Sequence, residues 1–308
     1  MSKAPRMKDR NNRNIVLTGT GRSGTTLTCY LLNKLPNTVA LSGSIAPEKY
    51  ADRLPDREAV ADGIEEFYRG MRRGALEQGM VFSKHVGGKV PDNTKGMKDG
   101  VRQRIAKKGW IEVGKDLDPD FYLAIKQREL FTTLLPVLAQ RFSCFAIVRN
   151  PLAMMASIKS LQAGKRRNKP SAKGNNASAK GNDASAKGGF GRYDLDLHTR
   201  LQESKRAGTS RIEQQLLKLH LTYERYQQLL PESHVLRYED ICDSRGKALE
   251  VIVPAARELD EPLENKNLSP LYERDKVLRF GEALLASEGA YWNLYTRESV
   301  EEIMSGLS

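Results

Sequence analysis

The sequence is poor in cysteine: Cys29, Cys144 and Cys242 are its only three, odd in number and far apart. Their spacing suits neither a metal site nor a disulfide framework. Each sits in an apolar run, where a cysteine behaves as a small hydrophobe. A reducing, cytoplasmic setting is expected. Long apolar runs are also missing. No stretch approaches the roughly 18 consecutive apolar residues of a membrane helix, so no membrane span is expected. The opening residues, MSKAPRMKDRNNRN, are polar and basic. Residues 1–12 therefore read as a frayed tail rather than a signal peptide. Acidic residues are outnumbered, 38 against 50 Lys and Arg, for a net charge of +12. Residues 165–192, however, hold eight Lys/Arg and one Asp, a net +7 that leaves only +5 elsewhere. So mild a surplus suits an anionic small ligand and argues against a nucleic-acid surface.

What the chain does have is an ordinary globular composition, 39% hydrophobic and 29% charged, over 308 residues. That is enough to bury a substantial core. Ser171–Gly188 reads SAKGNNA-SAKGNDA-SAKG, a seven-residue unit given twice and then in part. It offers nothing apolar to a core, so residues 165–192 read as a basic, low-complexity loop insertion. On either side the pattern alternates strand and helix. Ile15–Thr18, Val39–Leu41, Phe121–Ile125, Cys144–Val148 and His234–Arg237 read as strands. Residues 25–35, 56–78, 98–108, 129–142 and 212–230 read as helices. The expected fold is α/β, a central parallel sheet of P-loop type flanked by helices, in a single domain over residues 1–308.

Gly19-Thr20-Gly21-Arg22-Ser23-Gly24-Thr25-Thr26 has the spacing G-x-x-x-x-G-x-T between a strand and a helix. Glycines let the backbone curl so that successive N–H groups converge on one phosphate, and the helix start adds its positive dipole end. Thr25 and Thr26 add hydroxyl donors and Arg22 a fixed charge. A nucleotide-hydrolysing loop needs Lys before its Ser/Thr and an acidic strand end for Mg²⁺. Here Thr25 takes the Lys position, and Cys144–Val148 runs into Arg149-Asn150. Arginine where a metal ligand should stand points to a metal-free anion. Ser157 follows Arg149 by eight residues, two turns into the next helix, where the pair could grip a second phosphate.

Together GTGRSGTTL, VRNPLAMMAS and VLRYEDI resemble the motifs of the PAPS-dependent sulfotransferases, over most of residues 14–160 and 212–245. PAPS is 3′-phosphoadenosine 5′-phosphosulfate, and its spent form is adenosine 3′,5′-bisphosphate. The resemblance implies that Gly21, Arg22, Ser23, Gly24, Thr25 and Thr26 bind the phosphosulfate, and Arg149 and Ser157 the 3′-phosphate. It also implies in-line sulfuryl transfer to a hydroxyl or amine of a small-molecule acceptor without a metal, with Arg22 near the bridging oxygen. Lys126 resembles the strand-end lysine that donates to the departing phosphate. The cytosolic branch has a histidine two residues further on, where this chain has Arg128. Glu48 and His85 are the remaining candidates for a general base, His85 through an imidazole that is neutral near pH 7. The wording is similar to that of bacterial stand-alone enzymes of natural-product pathways, including those that sulfate alkaloids. No nucleic-acid or membrane partner is implied. Two other readings compete: a P-loop nucleotide-dependent kinase, and a catalytically silent binder of adenosine bisphosphate.

Overall fold

The computed structural model describes residues 13–53, 56–98, 101–167 and 194–307. The frayed tail at 1–12 and the repeat at 171–188 lie outside the described residues. In chain order the elements are β1 (Asn14–Gly19), α1 (Thr25–Leu32), β2 (Thr38–Ser42), α2 (Arg57–Glu77) and β3 (Met80–His85). Then come β4 (Lys95–Lys98), β5 (Val101–Arg104), β6 (Lys107–Glu112), β7 (Tyr122–Lys126), α3 (Arg128–Leu138) and β8 (Ser143–Val148). The remainder is α4 (Pro151–Arg167), α5 (Leu195–Arg206), α6 (Arg211–Leu229), β9 (Val235–Arg237), α7 (Tyr238–Asp243), α8 (Arg274–Leu285) and α9 (Arg297–Ser305).

The fold is α/β. A five-stranded sheet runs in the order β2-β7-β1-β8-β9, and every pairing in it is parallel. Its three inner strands carry apolar runs because helices cover them: Ile15, Val16, Leu17, Leu123, Ala124, Ile125, Ala146, Ile147 and Val148 are wholly buried. β1 is central, and the chain crosses from one side of it, at β7, to the other, at β8. In open parallel sheets ligands bind beyond the carboxyl end of such a switch point. Tyr68 of α2 is fully buried and donates its hydroxyl to Ile15 O at 2.6 Å, tying that helix to the central strand. All three cysteines are buried and free. Among the described residues no helix is long and apolar enough to cross a membrane.

Residues 98–108 are not the expected helix. Residues 98, 101–104 and 107–108 lie in β4, β5 and β6, and β4 pairs antiparallel with β5. Asp99-Gly100, a pair favoured in two-residue hairpin turns, carries that signal in the sequence. β3 and β6, for which the periodicity gives no sign, form a second antiparallel pair from Met80↔Glu112 to His85↔Lys107. The chain divides into two compact units. The first comprises residues 1–94, 105–148 and 226–264 and holds the parallel sheet. The second comprises 95–104, 149–225 and 265–308. Because each is assembled from separate segments, no single point in the sequence marks a boundary. Within the second unit α8 packs on both α4 and α9. Asp194 there is fully buried, caps α5 through the Leu197 N–H and pairs with Arg225.

Candidate functional site

The loop after β1 is shaped by its own backbone. Gly19 has φ of 147°, and a Cβ there would collide with Ile147 O, so no other residue fits. Gly24, at φ 83°, is the N-cap of α1, and a Cβ on it would come within 2.5 Å of the Tyr238 ring. Tyr238 belongs to the VLRYEDI segment, so that motif closes over the loop. Ser23 is wholly buried and donates to Thr20 O at 2.8 Å and Ile147 O at 2.6 Å, pinning the loop to the end of β8. Its hydroxyl serves the loop's shape, which leaves its backbone N–H for a ligand. Arg22 holds φ of 70°, a left-handed conformation that costs a non-glycine residue energy and is concentrated at functional sites.

The start of α1 is open to an anion. Its N-cap, Gly24, makes no side-chain cap and its first turn contains no acid, and a helix start leaves its first N–H groups without intrahelical partners. Thr20 Oγ1, buried beside it, has no hydrogen-bond partner among the described residues.

Lys126, the last residue of β7, completes this corner. Only 7% exposed, it donates to Thr26 Oγ1 and Ser42 Oγ, both at 3.4 Å. Burial, with the cations Arg128, Lys84 and Arg22 around it, brings its ammonium down from 10.5 to about 7. Ser42 and Gly43 connect β2 to this corner, and Gly43 N donates to Lys126 O at 2.9 Å. The next residue, Ser44, is 4% exposed and its hydroxyl also lacks a partner among the described residues. Positive charge and unsatisfied hydroxyls thus occur at the carboxyl ends of the neighbouring strands β2, β7 and β1. An anion would relieve both.

In the second unit Arg149 is 5% exposed. Its guanidinium donates to Asn267 Oδ1 at 2.8 Å, to Lys266 O and to Tyr272 Oη at 3.3 Å. Tyr223 donates to its carbonyl at 2.6 Å. Segment 265–272 therefore orients this side chain, which the sequence did not foreshadow. Ser157 is buried in α4. Trp292 is half-buried, edge-on to Tyr291 and beneath Arg297.

No family model, curated protein or solved structure matches this chain.

The candidate bases are placed differently from Lys126. His85 lies on β3, not in a loop; its Nδ1 accepts the Gly88 N–H at 3.1 Å, and its Nε2 would be 2.8 Å from a Cβ on Gly109. The ring is thus packed on β6. Glu48 is exposed in a short 3₁₀ turn at Pro47–Arg53. Neither is among the groups that bond to or act on Lys126. Sequence reasoning missed Ser42, Ser44 and Lys84. Leu-Ser-Gly-Ser after a short apolar strand was a signal of sorts, since small polar residues often close a strand end facing a ligand. Lys84 gave none, because β3 and its partner were not legible. Among the described residues no group of three or more His, Cys, Asp or Glu could hold a metal.

Proposed function

We propose that this protein is a sulfotransferase. It would move the sulfuryl group of PAPS to a hydroxyl or amine of a small-molecule acceptor, by in-line transfer that needs no metal. The observation that carries the reading is the cluster of cations at Lys126, on the strand next to the one that leads into the loop with its orphaned threonine hydroxyl and a helix start whose N-cap is a glycine. Such a donor set fits a phosphosulfate: backbone N–H groups and Thr25 and Thr26 for its phosphate, Arg22 and Lys126 for the charge on the bridging and leaving oxygens. PAPS supplies the activated sulfuryl group. The chain's part is to orient it, exclude water and offset developing charge. Lys126 Nζ holds a proton near its neutral point, which suits donation to a departing oxygen.

The finer reading of the parallel sheet as a P-loop fold belongs to the same proposal. It is supported by the loop's position after the central strand and at the switch of strand order. Arg149 and Ser157 are the proposed ligands of the 3′-phosphate, and a cytoplasmic setting is supported by the free, buried cysteines. The test is transfer of ³⁵S from labelled PAPS to a small-molecule extract in EDTA, beside Mg²⁺ and ATP as the alternative donor. Labelled acceptor is the expected result. Consumption of ATP with PAPS untouched would favour a kinase. Bound PAPS that no acceptor discharges would favour a silent binder.

A further inference from the structure

Lys84 comes from outside every motif that points to the loop, yet it reaches the same corner. Two contacts with the end of β2 hold it there. First, its neighbour Ser83, wholly buried, accepts the Ser42 N–H on Oγ at 3.0 Å, which fixes β3 against the strand end. Second, the Lys84 side chain lies across Gly43. A Cβ at Gly43 would stand 2.8 Å from Lys84 Cε and 2.9 Å from Nζ, and Gly43 has φ of 61°. A glycine is thus required here twice, for its left-handed backbone and for the space the lysine occupies. The Lys84 side chain is turned toward this segment, while the His85 ring lies against Gly109 of β6.

The segment under Lys84 is the one that serves Lys126. Ser42 Oγ accepts from Lys126 Nζ at 3.4 Å, Gly43 N donates to Lys126 O, and Ser44 brings a buried hydroxyl without a partner among the described residues. Lys84 is among the cations that lower the Lys126 ammonium, and an anion bound beside both would favour their charged forms. The first phosphate has the loop N–H groups and Arg22.

We infer that Lys84, with Lys126 and the Ser44 hydroxyl, forms a second oxyanion site that holds the group beyond the loop-bound phosphate, the sulfuryl group of the proposed donor. This rests on the sulfotransferase reading and adds to it a residue that the resemblance does not supply. Lys84 would bind the sulfuryl oxygens and contribute nothing to the bisphosphate that remains after transfer.

Two ligands separate these roles. PAPS and adenosine 3′,5′-bisphosphate differ by the sulfuryl group, so each is titrated calorimetrically into the full chain, without acceptor, for wild type and for Lys84→Met, Lys84→Gln and Lys84→Arg. Both neutral variants should weaken PAPS binding about tenfold, the scale of one charge-assisted hydrogen bond. They should leave the bisphosphate within about twofold, and Lys84→Arg should recover most of the loss. Equal losses on both ligands, or none on either, would overturn the assignment of Lys84 while leaving the sulfotransferase reading intact. A wild-type chain that binds neither ligand would overturn that reading, and the role of Lys84 with it. Thermal melts of the variants confirm that folded protein is compared.

Discussion

Lys126 ends β7 with its ammonium 3.4 Å from the hydroxyl of Thr26, in the first turn of α1. A buried amine thus lies against the start of the helix whose N–H groups face a would-be anion. The closeness sets two consequences, one for stability and one for binding.

For stability, the folded lysine loses its proton above about pH 7, whereas the unfolded one keeps it to about 10.5. Between those values the unfolded chain binds more protons, so stability of the unliganded protein rises with pH across the window. Lys126→Met removes the buried charge. The variant should melt higher than wild type near neutral pH, with the gap closing toward about pH 10. Melting curves at several pH values check this; a variant that melts lower at neutral pH would show that Lys126 stabilises the free fold.

For binding, an anion in the loop favours the charged lysine and raises its pKa. At about pH 8 the free site is mostly neutral at Lys126, so binding should draw in close to one proton. Below about pH 6 that uptake should vanish, and affinity should fall as pH rises from 7 to 9. Calorimetry in buffers of differing ionisation enthalpy measures the uptake directly. Lys126→Met should abolish it.

Arg22 offers a trade between fold and function. Its φ of 70° is unfavourable for any side chain, by roughly 1 kcal/mol. Arg22→Gly should therefore stabilise the free protein or leave it unchanged, while weakening anion binding by about 1.5–3 kcal/mol through the lost charge. Denaturant unfolding beside a binding titration distinguishes the two effects.

Lys115 supplies a structural control. Its ammonium donates to Asn33 O, Leu35 O and Thr38 O at 2.6, 2.9 and 3.0 Å, closing the turn from α1 into β2. Lys115→Met leaves three carbonyls without that donor and should cost about 2 kcal/mol of stability. Ligand affinity per folded molecule should be unchanged.

The sheet was legible because burial on both faces writes itself as short continuous apolar runs, as in Cys144–Val148, bounded by turn residues. The loop was legible because its glycines are demanded by backbone geometry at Gly19 and Gly24. What stayed hidden depends on contacts distant in sequence. Ser23 reads as a ligand but spends its hydroxyl on Ile147 O. His85 reads as a free base in a loop but is packed in a strand pair whose partner lies more than 20 residues on. Lys84 carries no local pattern; only the folding of β3 against β2 brings it to this strand end. A charged stretch such as 98–108 reads as helix or strand alike, because its sequence has no apolar period.

The most direct test of the site is calorimetric titration of the full chain with adenosine 3′,5′-bisphosphate, with and without EDTA, against ATP and Mg²⁺ as the competing ligand. Binding at roughly tens of micromolar or tighter, indifferent to EDTA and weakened by Arg149→Ala, is the expected result. No binding at that concentration, or binding only of ATP with Mg²⁺, would contradict the assignment of this loop to a phosphosulfate.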